Sequence, residues 1–538
     1  MSAVTQAPPR PVEPGAAPPP APEARGVPRW VWVVGVLVVW LAVWALTKGH
    51  DTDVVAGSDQ TDLHRRITDI ANGLGGNGFT QAIADAINAI IEFFQKLLST
   101  PASPSPAPEI GWLGVLAMAT WIGYAVAGWR IAILVALSFV AFGVFGYWQD
   151  SIDLLIVTMV SVFISVLIGF PLAIWIGLSQ RANRIVTPIL DLLQTMPTFV
   201  YLMFVIILFG IGAPNAVVCT VAYALPPIVR IAGFGIRDVS TTTIEATDSL
   251  GQTTAQRLWK VQVPMARKTI ILGLNQTILA ALSIAIIAGY VNGPGLGKPV
   301  LAALTVNDFG AGLVPALLIV LMGIMLDRTT TAASERSEKI ARGGGEDPRV
   351  RRIALGGGLV VVAVAVWYSR YALNAANFPT NGLTGSVARG ANDVADAVID
   401  AIGPVANGFK NFISYGLLNP LQSVLADSPW WLALVALVAL GVIIGGQKAV
   451  IPTVVCVVLI YVLGLWHDTM LVLTMTLVAT LLVMVLAMVF GVWMARNKRV
   501  DLVIRPLCDA GQTIPAFVYL IPVLALFEST RFTASSPR

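Results

Sequence analysis

The sequence predicts an all-α polytopic membrane protein built as a tandem parallel repeat. Three observations carry this. Of 538 residues, 56% are hydrophobic and 12% charged, about half the charged share of soluble proteins. Apolar runs of near-spanning length recur from residue 30 to residue 527. A nine-residue stretch, Gln194-Thr195-Met196-Pro197-Thr198-Phe199-Val200-Tyr201-Leu202, returns 318 residues later as Gln512-Thr513-Ile514-Pro515-Ala516-Phe517-Val518-Tyr519-Leu520. A hydrocarbon core needs about 20 apolar residues per helix, which gives about 13 spans here. They fall near 30–46, 110–127, 131–147, 152–178, 199–212, 215–232, 269–291 and 311–326, then near 353–368, 430–446, 449–465, 470–494 and 514–527.

Residues 1–29 form a Pro/Ala-rich tail bearing Arg10, Arg25 and Arg29. It has too little apolar surface to fold and reads as disordered. Residues 30–109 hold the first span and an amphipathic segment. The flank Thr47-Lys48-Gly49-His50 lacks a small-x-small cleavage site, so the first span reads as uncleaved. Phe79, Ile83, Ile87, Ile90, Ile91, Phe94 and Leu98 then recur at helical spacing, with Gln81, Asp85, Asn88, Glu92 and Gln95 on the other face. Two readings stay open: a helix lying on the bilayer surface, or one packed against the bundle or a partner.

Residues 110–330 carry the next seven spans, and 331–352 read as a charged linker. Residues 353–429 repeat the first span and the amphipathic segment, with Ala401, Val405, Phe409 and Phe412 on the apolar face. Residues 430–538 repeat the part that begins at residue 110. At the same 318-residue offset Trp112 meets Trp430, Trp148 meets Trp466, Asp150 meets Asp468, Trp175 meets Trp493, Arg181 meets Arg499, Pro188 meets Pro506 and Asp191 meets Asp509. Convergence over this length is implausible, so the chain carries an internal duplication of a kind common in transporters. The match stops at Leu526-Phe527, and a polar stretch from Glu528 to Arg538 follows. This reads as a C-terminally truncated second copy, from a frameshift or a premature stop; a real half-repeat with a soluble tail is the alternative.

Sidedness follows from charge. With the N-terminus inside, the inner loops hold Arg130, Arg181 with Arg184, the stretch from Arg237 to Lys268, the stretch from Arg328 to Arg352, Lys448, and Arg496 with Lys498 and Arg499. The outer loops hold Asp51 with Asp53, Asp150, Asp308, Asp393 with Asp396 and Asp400, and His467 with Asp468. Basic residues thus gather on one side in independent loops, as the positive-inside rule requires.

Several function classes are disfavoured. No basic-aromatic patch suggests nucleic acid. No Gly-x-x-x-x-Gly-Lys-Ser/Thr loop is present, and Gly293-Pro294-Gly295-Leu296-Gly297-Lys298 reads as a turn. Cys219, Cys456 and Cys508 are odd in number and read as small hydrophobes, not a disulfide framework or metal site. The spans hold almost no Asp, Glu or Lys, which weakens a proton-driven mechanism. Sodium coupling through backbone and hydroxyl oxygens stays open.

The loop after residue 237 carries the densest pattern. It reads Glu245-Ala246-Thr247, three residues, Gly251, nine residues, Val261-Gln262-Val263-Pro264. This resembles the EAA signature of the membrane subunits of bacterial ABC importers, with Thr247 in place of the third-position Ala. The resemblance implies a type I ABC importer transmembrane domain. Its signature forms a short cytoplasmic coupling helix that docks on a separate ABC ATPase subunit. Glu245, Ala246, Gly251, Val261 and Pro264 are then the ATPase-coupling residues. ATP and Mg²⁺ belong to the partner, and this chain, a transport subunit and not an enzyme, holds no cofactor or metal. Physically, Glu245 and Asp248 suit the start of a helix, Gly251 permits a tight bend, and Pro264 stops the segment before the next span. Arg257, Lys260, Arg267 and Lys268 are read as free to meet ATPase carboxylates or lipid phosphates. An ordinary amphipathic loop is the alternative.

The resemblance is narrower than ABC importers at large. Leu225-Pro226-Pro227-Ile228-Val229-Arg230, Ser249-Leu250-Gly251-Gln252-Thr253, Lys260-Val261-Gln262-Val263-Pro264, Gln194-Thr195-Met196-Pro197 with Tyr201, and Gly293 to Gly297 look like the glycine betaine/proline (quaternary amine) permease family. It implies a multi-pass protein of the bacterial inner membrane, fed by an extracytoplasmic solute-binding protein. The solute would pass between two permease units, from a second permease copy or a homodimer in the lipid bilayer. A quaternary ammonium is held by aromatic faces. Tyr201, Phe204, Tyr223 and Tyr290, with the polar Asn275 and Gln276, are the candidate pathway residues. Interhelical packing is the competing reading for each. A permease for amino acids or sulfonates, and a secondary carrier needing no ATPase, remain as alternatives.

Overall fold

A computed structural model describes residues 28–47, 65–66, 69–70, 73, 77–101, 108–306, 308–341, 348–379, 383–513, 516–519, 523 and 527. The tail 1–27, the final residues 528–538 and most of the expected span 514–527 lie outside them. All regular structure among the described residues is helical. Among the described residues seven helices are long and apolar enough to cross a membrane, or up to nine if each of two bent pairs counts as one span. That is fewer than the expected 13. The segments expected near 110–127 and 131–147 form α-helices of 16 residues each. Such a helix is about 24 Å long, short of a hydrocarbon core of about 30 Å.

The chain divides into two compact units, residues 1–65 with 415–481, and residues 66–414 with 482–538. In the larger unit, α2 (Gly78–Leu98), α3 (Trp112–Ala127), α4 (Trp129–Val144), α5 (Trp148–Leu178), α6 (Gln180–Thr195), α7 (Thr198–Phe209) and α8 (Ala213–Arg237) lead to the signature loop. Beyond it run α11 (Arg267–Ile287), α12 (Gly297–Thr305), α13 (Phe309–Ala341), α14 (Pro348–Tyr371) and α15 (Leu383–Ile413). Two short helices, α9 (Thr241–Ser249) and α10 (Thr254–Arg257), lie in the loop between α8 and α11.

The core of this unit is the pair α5 and α8. Gly169 on α5 lies under Ile228, Gly177 under Ile236, and Gly233 on α8 under Ile176. Lipid gives no hydrophobic drive between helices, so close approach at small residues supplies the attraction. Helix α2 settles the question left open for the amphipathic segment. Ile87 and Ile91 are 7% and 1% exposed, and the helix packs against α5, α7 and α8. Ser99, at its end, donates 2.6 Å to Asp153 of α5. The packed reading is the one observed.

Pro197 ends α6, and α7 leaves at an angle of 101°. The Tyr201 hydroxyl then donates to the Leu193 carbonyl left open at that corner. In the second copy Tyr519 donates 2.7 Å to Gly511, the same bond at the 318-residue offset. The recurring stretch therefore encodes a recurring corner.

In the smaller unit α1 (Arg29–Thr47) packs on α17 (Trp430–Gly445), between α16 (Asn419–Ala426) and α18 (Val450–Val462) in sequence. Trp40 is 4% exposed and donates 3.0 Å to Ser428. In the larger unit α14 packs on α3, where Trp121 donates 3.0 Å to the Leu355 carbonyl beside Gly358. Helices α3 and α17 are counterparts at the repeat offset. Each copy's first span thus lies on the other copy's helix. The linker expected at 331–352 is also mostly helix: α13 continues to Ala341 and α14 begins at Pro348. Helix α19 (Trp466–Arg496) and α20 (Lys498–Thr513) complete the second copy. Of the three free cysteines, Cys219 is buried as expected, but Cys456 and Cys508 are exposed on their helices.

Candidate functional site

The signature loop folds as a two-helix corner. Ser240 caps α9 (Thr241–Ser249) by accepting from the Thr243 amide, and α10 (Thr254–Arg257) starts from a capping box made by Thr253 and Gln256. Between them Gly251 has φ +73° with nothing within 4 Å of an added Cβ. Glycine is needed there for its backbone conformation, not for space. The corner leaves Leu250 79% exposed at its tip. Glu245 and Ala246 are exposed on α9. Thr247, the departure from the signature, is buried and bonds the Ile244 carbonyl at 2.8 Å, so its hydroxyl is satisfied within its own helix.

Three expectations for this loop change. Helix α9 begins at Thr241, so Glu245 lies mid-helix and Asp248 in the last turn. There the helix dipole disfavours a carboxylate. Arg257 supplies the compensation: its Nη1 meets both Asp248 oxygens, at 2.7 and 2.8 Å. Arg257 is therefore not free for a partner, and Lys268 pairs with Glu338 at 3.1 Å. Pro264 does not stop a segment. It sits inside the run Val263–Met265, preceded by a wide π turn over Leu258–Gln262. A proline ring clashes with the carbonyl four residues back and lacks an N–H, so the ladder loosens ahead of it.

The loop is anchored to the bundle. Leu258, Ile236 and Ala266 form a buried cluster with Val263, half-buried, at its edge, and Val261 is half-buried nearby in sequence. Trp259 leans on Phe170 with centroids 6.3 Å apart. The capping box was legible as Thr253-x-x-Gln256. The Asp248–Arg257 pair and the exposed Leu250 tip were not, because both depend on the corner angle.

The candidate pathway residues make separate contacts. Tyr201 is buried edge-on to Tyr223, centroids 6.3 Å apart. Tyr290 is 46% exposed and meets Phe199 edge-on at 5.3 Å. Phe204 is exposed on α7. Asn275 is buried and donates 3.0 Å to Thr331 of α13, while Gln276 beside it is exposed. Among the described residues no group of His, Cys, Asp and Glu could hold a metal ion.

Residues 165–338, which contain the loop, match the family described as the binding-protein-dependent transport system inner membrane component. The chain is 45% identical over 214 residues to the glycine betaine transport system permease protein OpuAB of Bacillus subtilis, covering 40% of this chain and 74% of that one. It is 37% identical over 262 residues to the glycine betaine/carnitine transport permease protein GbuB of Listeria monocytogenes, covering 48% and 91%. The chain belongs to the family of binding-protein-dependent importer permeases. A third relative, the trimethylamine N-oxide transport system permease protein TmoV of Ruegeria pomeroyi, is 27% identical over 467 residues, 86% of this chain and 70% of that one. A match of that length takes in both copies and fits the tandem duplication. This permease is thus a multi-pass inner-membrane component of an ABC importer, helical in the regular structure of its described residues, with the transmembrane fold expected of that class.

Proposed function

We propose that this permease imports glycine betaine or a closely related methylated amine, such as proline betaine, choline, carnitine or trimethylamine N-oxide, driven by ATP hydrolysis in a separate subunit. The observation that carries the reading is the signature corner: an exposed Leu250 presented by two capped helices that are anchored on α8. An ATPase groove would take this corner, and closure of the ATP-bound pair would push it as a lever. The basic loops support a cytoplasmic position for it and for the N-terminus. An extracytoplasmic binding protein would deliver the solute from the other side, and a second permease unit would complete the path.

The relatives named above carry solutes with a methylated ammonium, and the exposed rings of Phe204 and Tyr290 suit such a cation. Tyr223 and Gln276 lie on the neighbouring spans. Tyr201 and Asn275 already have hydrogen-bond partners and would hold the wall in place.

The test is uptake of radiolabelled glycine betaine by cells carrying the permease with its ATPase and binding protein. Competition by trimethylamine N-oxide, carnitine and choline ranks the solutes. Uptake that responds to taurine or an amino acid, and to no methylated amine, would reject the substrate class. Uptake that survives loss of the ATPase would reject the importer.

A further inference from the structure

The signature loop must hold its shape to transmit force. Helices α9 and α10 have nine and four residues, too short to be stable by themselves. Backbone bonds close the turn: Leu250 N to Thr247 O at 3.2 Å, Gly251 N to Asp248 O at 3.0 Å and Gln252 N to Thr247 O at 3.4 Å. Side chains add a charge-assisted link that spans the corner. Arg257, at the end of α10, reaches back to the Asp248 carboxylate in the last turn of α9. Its side chain is 21% exposed, and that of Asp248 is 49% exposed. The pair closes a loop around Leu250 and Gly251.

We infer that Asp248 and Arg257 are positioning residues that lock the angle between α9 and α10, so that Leu250 is held out toward the ATPase in one orientation. The inference rests on the reading of this loop as the ATPase contact. Gly251 allows the corner but does not fix it, because a glycine in open space is free to move. A charge pair spanning the corner removes that freedom. It also offsets the carboxylate at the wrong end of the α9 dipole. A loosened corner would still meet the ATPase, but the push of closure would be lost in bending the loop.

The experiment compares Asp248→Asn, Arg257→Gln, the exchanged pair Asp248→Arg with Arg257→Asp, and Leu250→Asp, each in the assembled transporter. Three readouts are taken: ATPase retained on a tagged permease, solute-stimulated ATP hydrolysis, and the KM and Vmax of uptake. Each single variant is expected to keep the ATPase bound and the KM unchanged, while Vmax and stimulated hydrolysis fall about five-fold or more; the exchanged pair should recover most of that loss, as a direct charge coupling does. Leu250→Asp should release the ATPase. If the single variants leave Vmax intact while Leu250→Asp releases the ATPase, the positioning role is wrong and the docking reading stands. If they lower Vmax and the exchange fails to restore it, the two residues do not act through each other and the inference is overturned. If Leu250→Asp keeps the ATPase bound, the docking reading itself fails.

Discussion

As far as Thr513 copy two repeats helices of copy one in the same order, yet the copies bury different faces of a shared helix. In copy one Ile87 and Ile91 of α2 are 7% and 1% exposed, whereas their counterparts Val405 and Phe409 in copy two are 73% and 48% exposed. The apolar stripe is the same; the neighbours differ. Helix α2 lies against α5, α7 and α8, whereas its counterpart α15 lies against α13. Periodicity chooses which face is apolar, and the packing partner decides whether that face is buried.

A second contrast is sharper. In copy one Gly143 lies beneath the ring of Phe378, a copy-two residue, and that ring packs on Trp112 at 4.6 Å and Trp148 at 5.8 Å. In copy two the position of Gly143 is Tyr461, whose ring meets Trp430 at 4.9 Å. Each copy fills the same aromatic notch, one with its own side chain and one with a borrowed one. The lesson is that a duplicated fold can trade a local residue for a distant one where the volume is conserved.

The largest test of the asymmetry lies in the signature loop, which among the described residues only copy one carries. Gly251→Val should cut uptake about ten-fold or more, since a β-branched residue at positive φ is strained by about 1–2 kcal/mol or beyond. Gly251→Asn should lose less, because asparagine tolerates that region. Membrane insertion, followed by blotting, should be unchanged in both. Full uptake by the valine variant would break the claim that the corner needs glycine.

Next is Gly143→Tyr, which writes the copy-two residue into copy one. It should expel Phe378 and lower thermal stability in detergent by about 1–3 kcal/mol. Adding Phe378→Ala should cost less than the sum of the two changes, because the introduced tyrosine ring can then take the vacated notch. Strict additivity would show that the two positions do not share the space.

The corner hydroxyls offer a smaller contrast. Tyr201→Phe should destabilise by about 1 kcal/mol, and Tyr519→Phe by less, because Tyr201 is 3% exposed and Tyr519 41%. Equal losses on thermal melting would remove the burial argument.

The smallest effect concerns pH. Asp308 accepts from the Ala311 amide and from Asn392 of α15, and these bonds hold its carboxyl below the ordinary carboxylate range. A depressed pKa stabilises the fold above the unfolded-state value, and that contribution is lost as pH falls through the folded one. Asn392→Ala should therefore destabilise at neutral pH, and the gap from the natural protein should close as the medium is acidified below the usual carboxylate range. A gap constant with pH would assign the contact to packing alone.

Much of this was written locally. The apolar runs follow from hydrophobicity, the 318-residue repeat shows when the chain is compared with itself, and the bend at Met196-Pro197 follows from dihedral limits that act within a few residues. Gly251 and the Thr253–Gln256 capping box are legible for the same reason. What tertiary structure decided is non-local. It paired Arg257 with Asp248 and moved Pro264 into a helical run. It laid each first span on the other copy, seated Phe378 over Gly143, and left the candidate pathway aromatics in separate pairs. These depend on the distance and angle between elements, set by small residues such as Gly169, Gly233 and Gly358. A sequence states that such positions are small; the folded chain determines which side chain fills the space they leave.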